Sequence, residues 1–293
     1  MTTALQVRDI RLLQVFRAVV DAGGISAAQD ILGMTQSNIS VQVADLEVRL
    51  GFTLCERGRA GFRLTAEGSE VYRATGNLLA DLGEYNDQFR SIGKGLRGEL
   101  NVGHLDNYLS HPDNPIVAVM TELGSRSSDI RFKLRQGTLA ELEQLLQQSE
   151  IQIAIGNFTR FIDGVTYLEL HDEEQVLCCG APHPMFSLTP NEVTWQQVQN
   201  AGSVAFGNKM MDAATGLGPQ VATANTLDGV LMLVLAGQGI AYLPGHMADP
   251  YIIQGKLRRL ETGRPQQNLT FYLAYRDKSE RSPLVREFRD LLL

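Results

Sequence analysis

Residues 26–47 read SAAQDILGMTQSNISVQVADLE, and the architecture of the amino-terminal part follows from this stretch. Ser26 stands three places before Gln29, a capping-box spacing that predicts a helix start. Ala27, Ala28, Ile31 and Leu32 supply an apolar side, and Gly33 suits the left-handed stop that closes a short helix. Thr35 is placed to cap a second helix. There Ile39, Val43, Leu46 and Leu50 recur at intervals of four, three and four, turning one face to a core. Gln36, Ser37, Asn38, Ser40 and Gln42 are left for the other surfaces. Amide side chains at a helix start can pair with adenine, and serine hydroxyls reach phosphates or base edges. Upstream, Leu12, Leu13, Phe16, Val19 and Val20 predict a supporting helix that completes a trihelical core. Capped helix pairs around a glycine occur in many kinds of protein, so this one gains meaning from its neighbours.

The next segment is basic. Arg49, Arg57, Arg59 and Arg63 stand against Glu56 in a stretch broken by Gly51, Gly58 and Gly61. A hairpin or wing of that composition can lie on phosphates while a helix enters the major groove of double-stranded DNA. A solvated charge run is the plainer reading. Thr65 then caps a long pattern in which Val71, Thr75, Leu78, Leu82, Tyr85, Phe89 and Ile92 alternate at intervals of four and three. Such a seam asks for another helix along it. The run of about 27 residues spans roughly 40 Å, more than a small domain needs for its own core. A homodimer through Val71, Leu78, Leu82, Tyr85, Phe89 and Ile92 is therefore expected, with burial against the rest of the same chain as the alternative. Two copies would offer two reading heads to a site of approximate dyad symmetry.

Of the net charge of −7, the first 64 residues carry seven basic against six acidic groups, and residues 96–293 carry sixteen against 22. The acidic excess thus lies away from the basic segment and does not argue against DNA binding. No charged start precedes an apolar run, and no stretch approaches the roughly 20 apolar residues of a membrane span, so a cytoplasmic protein without a membrane partner is expected. Cys178 and Cys179 are adjacent in a strand-like run and should point to opposite faces, which predicts free thiols, Cys55 included.

Beyond a glycine-rich hinge at 92–98 (IGKGLRG), residues 99–103 read as a strand. Asn114 and Pro115 introduce a helix carrying Ile116, Val119, Met120 and Leu123. Residues 130–135 (IRFKLR) alternate as a strand with one apolar face, Thr138 and Glu141 form a capping box, and 151–155 is a further strand. The order is that of an α/β fold. It restarts at 175–179 and 203–206, with a helix over 227–235, a glycine turn and strand over 236–244, a strand over 269–275 and a closing helix over 284–292. Two α/β lobes joined by chain crossings would place a ligand cleft at the strand ends.

Over nearly its whole length the chain resembles the LysR-type transcriptional regulators. The resemblance is carried by Ala27, Ala28, Leu32, Thr35, Gln36 and Ser40, by Asp45, Leu46 and Glu47 through Leu50 and Gly51, and by Glu56, Arg57, Leu64, Thr65 and Gly68. Gly98, Leu100, Val102 and Gly103, then Gly237, Gly239, Ile240, Leu243 and Pro244, extend it into the second part. It implies a winged helix-turn-helix domain (1–65), a linker helix that dimerises (66–94), and an effector-binding domain (95–293). The last is expected as a periplasmic-binding-protein-like pair, lobe I over about 95–162 and 266–293 and lobe II over about 163–265. It also implies a homotetramer built through the regulatory domains, a small-molecule effector, promoter DNA and RNA polymerase as partners, and no cofactor. Gly24, Ser37 and Cys55 depart from the family's frequent serine, proline and phenylalanine. Ser37 bears on base preference rather than on the fold.

Gln36, Ser37, Asn38, Ser40 and Gln42 are accordingly the expected base-reading set, with Arg57, Arg59 and Arg63 positioning the head. His104, Leu105, Asp106, Asn107, Gln136, Gly137, Thr138 and Phe158 are expected to line the effector cleft from one lobe, and Phe206, Thr226 and Tyr242 from the other. His104 and Asp106 could form an acid–base pair, but no third group or metal-ligand spacing accompanies them. An enzyme using the cleft lacks a nucleophile triad, Walker loop, dinucleotide fingerprint or metal cluster in this sequence. A solute-binding protein would leave the basic wing without a purpose.

Overall fold

The computed structural model describes residues 6–58, 61–92, 95–112, 114–189, 192–207, 216–264 and 267–293. Helices α1 (Ile10–Asp21), α2 (Ala28–Leu32) and α3 (Gln36–Leu50) close around Phe16, Val19, Ala28, Ile39, Val43 and Leu46. Gly33 adopts a φ of 61°, which allows the abrupt turn between α2 and α3. The Thr35 hydroxyl accepts from the Asn38 amide and caps α3 as its position predicts. Two details differ. Ser26 forms no capping box: α2 starts at Ala28 without a side-chain cap. Gln29 is used elsewhere, its Nε2 donating to the Ser26 carbonyl and its Oε1 accepting from the Gln36 amide at 3.1 Å, a staple between the two helices. Ile31 is exposed rather than buried, because a five-residue helix turns only Ala28 and part of Leu32 inward.

Strands β1 (Cys55–Gly58) and β2 (Gly61–Leu64) pair antiparallel as the wing. Glu47 on α3 accepts from the amides of Leu54 and Cys55, anchoring it. Thr65 caps the next helix through the Gly68 amide at 2.8 Å and donates to the Thr53 carbonyl. A Cβ on Gly68 would stand 1.9 Å from the Leu54 carbonyl oxygen, so only glycine lets that helix start against the wing. Helix α4 (Ala66–Ser91) runs 26 residues, with Val71 and Tyr72 packed on the head core and Thr75 buried.

The second part is organised by two long antiparallel strands. In chain order it comprises β3 (Gly98–His104), α5 (Ile116–Arg126), β4 (Ile130–Gln136), α6 (Leu139–Gln147), β5 (Ile153–Gly156), β6 (Val165–Gly180), α7 (Trp195–Asn200), β7 (Ser203–Phe206), β8 (Gln220–Ala224), α8 (Leu227–Leu235), β9 (Ala241–Pro244), α9 (Gly245–Ile253), β10 (Leu257–Arg259), β11 (Gln267–Arg276) and α10 (Pro283–Leu292). The main sheet runs β10-β6-β11-β5-β3-β4, with β9 also on β6. Strands β3, β4 and β5 are parallel, and β6 pairs with β11 up to Gln175 before continuing beside β9 and β10. Strand β6 thus serves both lobes, and β11 returns the chain to the first. The parallel pair β7 and β8 joins β9 through a bridge between Ser203 and Ile240.

Each lobe has helices on both sheet faces. In the first, Leu100, Val102, Ile153 and Phe288 fill the side covered by α5 and α10, while Leu142, Leu146 and Ala154 fill the side of α6. In the second, Cys178 belongs to one core and Cys179 to the other, the opposite-face placement that adjacency in a strand requires. Helix α5 runs from Ile116, and the Asn114 side chain accepts from the Ile116 amide, the capping bond that an Asn114–Pro115 start predicts. The apolar face of β4 is only partly covered, since this strand is the sheet edge and leaves Leu134 exposed.

Candidate DNA-reading helix and effector cleft

At the start of α3, Gln36, Ser37 and Asn38 are exposed, and Ser40 and Gln42 are half-buried. Their hydrogen bonds are local: Thr35 with Ser37, and the Gln42 amide donating to Asn38 at 3.1 Å. The helix therefore presents a preordered amide pair. Val41 is exposed on the same helix and was missed from the sequence because it is apolar. On the wing, Arg63 stands directly across from Glu56. Arg59 and the Arg57 side chain lie outside the described residues. Arg49 is consumed by ion pairs to Asp9 at 3.0 Å and Asp45 at 3.1 Å, so it braces the head rather than adding to the wing's charge.

Helix α4 serves two roles on adjoining faces, with Tyr85 at their border. Val71 is committed to the head's own core, a correction to its place in the dimer seam that follows from its nearness to the wing. Beyond it Leu78, Leu82, Tyr85, Phe89 and Ile92 are exposed. A polar face docks on the effector domain of the same chain. The buried Glu84 carboxylate accepts from Arg276 at 2.9 Å and from Ser279 at 2.8 Å. Asp81 faces Arg276 and Lys278, and Arg281 donates to the Tyr85 hydroxyl. Burial pushes the Glu84 carboxyl above the usual range despite these partners.

Across the interlobe cleft, the segments after β3 and β4 face those after β8 and β9. Asp106 crosses the cleft. One carboxylate oxygen accepts from Gln136 at 2.9 Å and the other from the Leu227 amide at 3.0 Å, at the first turn of α8 in the opposite lobe. His104 Nδ1 instead meets the Leu105 carbonyl, so His104 and Asp106 are not joined as an acid–base pair. Asn107 holds a left-handed conformation at φ 57°, with its side-chain nitrogen buried and unpartnered. Thr138 caps α6 in the expected box beside Gly137, and Thr226 caps α8. Phe206 is partly exposed at the end of β7.

Three of the expected cleft residues are turned away. Phe158 is 3% exposed and packs edge-on against Tyr167 in the core beneath α6. Leu105 packs into both cores of its lobe. Tyr242 points to the α7 side of its sheet, where it lines a separate cavity of about 350 Å³ with Leu177, Leu260 and Arg264. Strand alternation decides the orientation of Tyr242 within β9, whereas Leu105 and Phe158 follow the ends of β3 and β5 and are drawn into the cores beside them.

A second bridge between the lobes was not visible in the sequence. Ser110 meets His246 Nδ1 at 3.1 Å, and His246 Nε2 meets Glu173 at 3.1 Å. Tyr108 bonds to His171, whose ring stacks on His111 with centroids 4.0 Å apart. The hydrogen-bonded partners are 63 to 136 positions apart, so no local spacing could signal them.

A winged helix-turn-helix head, a long linker and a two-lobed domain with a central cleft together define a ligand-responsive DNA-binding regulator. Residues 10–69 match the model of the bacterial regulatory helix-turn-helix protein of the lysR family, and residues 93–293 match the LysR substrate binding domain. The chain belongs to the LysR family of transcriptional regulators. It is 34% identical over 282 residues to the HTH-type transcriptional activator BauR of Pseudomonas aeruginosa, covering 95% of this chain and 92% of that one. Its fold is similar to that of ArgP from Mycobacterium tuberculosis, with a TM-score of 0.69 at 19% identity, covering 96% and 94% of the two chains. It is likewise similar to full-length CbnR in complex with its target DNA, with a TM-score of 0.66 at 19% identity, covering 97% and 98%. The chain is thus a DNA-binding regulator with an effector domain, not an enzyme or a solute-binding protein. Among the described residues no helix is long and apolar enough to cross a membrane.

Proposed function

We propose that α3 reads base edges in the major groove through Gln36, Ser37, Asn38, Ser40 and Gln42, while Arg57, Arg59 and Arg63 hold the wing on the phosphates. The observation that carries this reading is the exposed polar start of α3 on a head whose core is complete without it. Full-length chain and randomised duplexes at fixed salt provide the test. Gln36→Ala should mainly erode preference for the enriched site, whereas Arg59→Ala should weaken target and unrelated DNA alike. Unchanged preference in the Gln36 variant would remove that residue from the reading set.

The exposed seam Leu78, Leu82, Tyr85, Phe89 and Ile92 supports a homodimer that matches a dyad-symmetric promoter site. Open sheet edges with exposed Leu134 and Val221, beside exposed Val117 on α5 and Met232 on α8, support further assembly to a homotetramer. The effector enters between the lobes, among His104, Asp106, Asn107, Gln136, Gly137, Thr138, Phe206 and Thr226. There it competes with or completes the Asp106 bridge to α8 and so alters how the heads are held. RNA polymerase is the downstream partner in this reading.

A further inference from the structure

We propose that Val41 determines sequence preference by packing on the methyl group of a thymine in each half-site, an inference that rests on the reading of α3 as the recognition helix. Val41 is 65% exposed. At about 100° per residue it lies about 200° from both Ile39 and Val43, opposite the helix face that those two bury in the head. The outward face therefore centres on a valine. Ser37 precedes it by one turn, Ala44 and Val48 follow, and polar groups flank it: Ser40 on one side, the hydrogen-bonded Asn38 and Gln42 on the other.

The chemistry narrows what such a face can read. The single basic residue of α3 is Arg49, and it is held by Asp9 and Asp45 near the helix end. Bidentate recognition of guanine by a cation of α3 is thereby removed. Among major-groove edges, the thymine C5-methyl is the one apolar feature, and a valine γ-methyl pair is its natural contact. Position along the helix selects Val41 over Val48. Val41 lies about 7.5 Å beyond Gln36 along the axis, within the amino-terminal turns that meet bases, whereas Val48 lies roughly another 10 Å on.

Deoxyuridine provides an atom-level test, since it differs from thymidine by that methyl alone. Sites are first enriched from randomised duplexes with the full-length chain; each thymine is then replaced in turn, and affinity is measured by fluorescence anisotropy at one salt concentration. At one thymine per half-site, removal of the methyl should weaken wild-type binding about fourfold, the effect of one buried methyl group. Val41→Ala should bind the original site more weakly by a similar factor and become indifferent to uracil at that position, while Val48→Ala retains the wild-type response. A site whose thymine methyls are all irrelevant to the wild type would overturn the proposal and leave the recognition-helix reading standing. An equal uracil penalty in Val41→Ala would do the same. A library yielding no enriched sequence would overturn the recognition-helix reading and this proposal with it.

Discussion

Replacing Arg276 by alanine should loosen the junction between the linker helix and the effector domain far more than replacing Glu84. Arg276 is 8% exposed and is the shared partner of two carboxylates, Glu84 at 2.9 Å and Asp81 at 3.6 Å. Without the guanidinium, Glu84 keeps only the Ser279 hydroxyl among these contacts, and Asp81 keeps Lys278. Breaking a buried pair in this way costs about 3–5 kcal/mol. The lower end is expected because Glu84, already pushed upward by burial, can take up a proton. Glu84→Ala leaves Arg276 facing Asp81 and should cost about 1–2 kcal/mol. The double variant should fall short of the sum of the two single effects by about 1–3 kcal/mol. The sign of the pH dependence follows from the raised carboxyl. Protonation favours the folded state, so the ionised group becomes a liability as pH rises through its folded-state value, and the Arg276→Ala deficit should be largest near neutrality and shrink toward pH of about 4. Urea unfolding of the full-length chain, followed by circular dichroism and compared at constant m, reads both effects. Equal stability of the Arg276 and Glu84 variants at neutral pH, or a deficit that grows on acidification, would refute this assignment.

Gly68→Ala should destabilise the head by about 2 kcal/mol, because its new Cβ meets the Leu54 carbonyl at 1.9 Å; a thermal melting temperature indistinguishable from wild type would contradict this. Leu82→Asp combined with Phe89→Asp should shift sedimentation toward a smaller species while helical content is retained, since both side chains are exposed on the seam. Cys178 and Cys179 should resist a thiol reagent at pH 8 in the native protein and react once it is unfolded, because burial pushes their thiols up to about 12 and about 11. Rapid native labelling of either would show that the second lobe opens.

Local pattern sufficed for much of this molecule. The intervals of Ile39, Val43 and Leu46, the left-handed Gly33, the Thr35, Thr65 and Thr138 caps, and the alternating placement of Cys178 and Cys179 each depend on neighbours within a few residues. Those short-range rules carried the head, the long helix and the α/β order of the second part. They also placed Gln36, Ser37 and Asn38 on an exposed surface, because three buried positions leave little choice for the rest.

Other features were decided by packing between distant segments. Gln29 abandoned its capping role because Gln36 came within reach across the turn. Val71 joined the head core instead of the seam, and Phe158 and Tyr242 were turned from the cleft by neighbours beneath their sheets. The bridge from Asp106 to Leu227 spans 121 positions, and that from Ser110 to His246 spans 136. Helix and strand periodicity operate over a turn or two, whereas the lobes meet only once β6 has crossed between them and β11 has returned the chain. The contacts that tie linker to domain and lobe to lobe therefore exist as consequences of the completed sheet, without a trace in local composition.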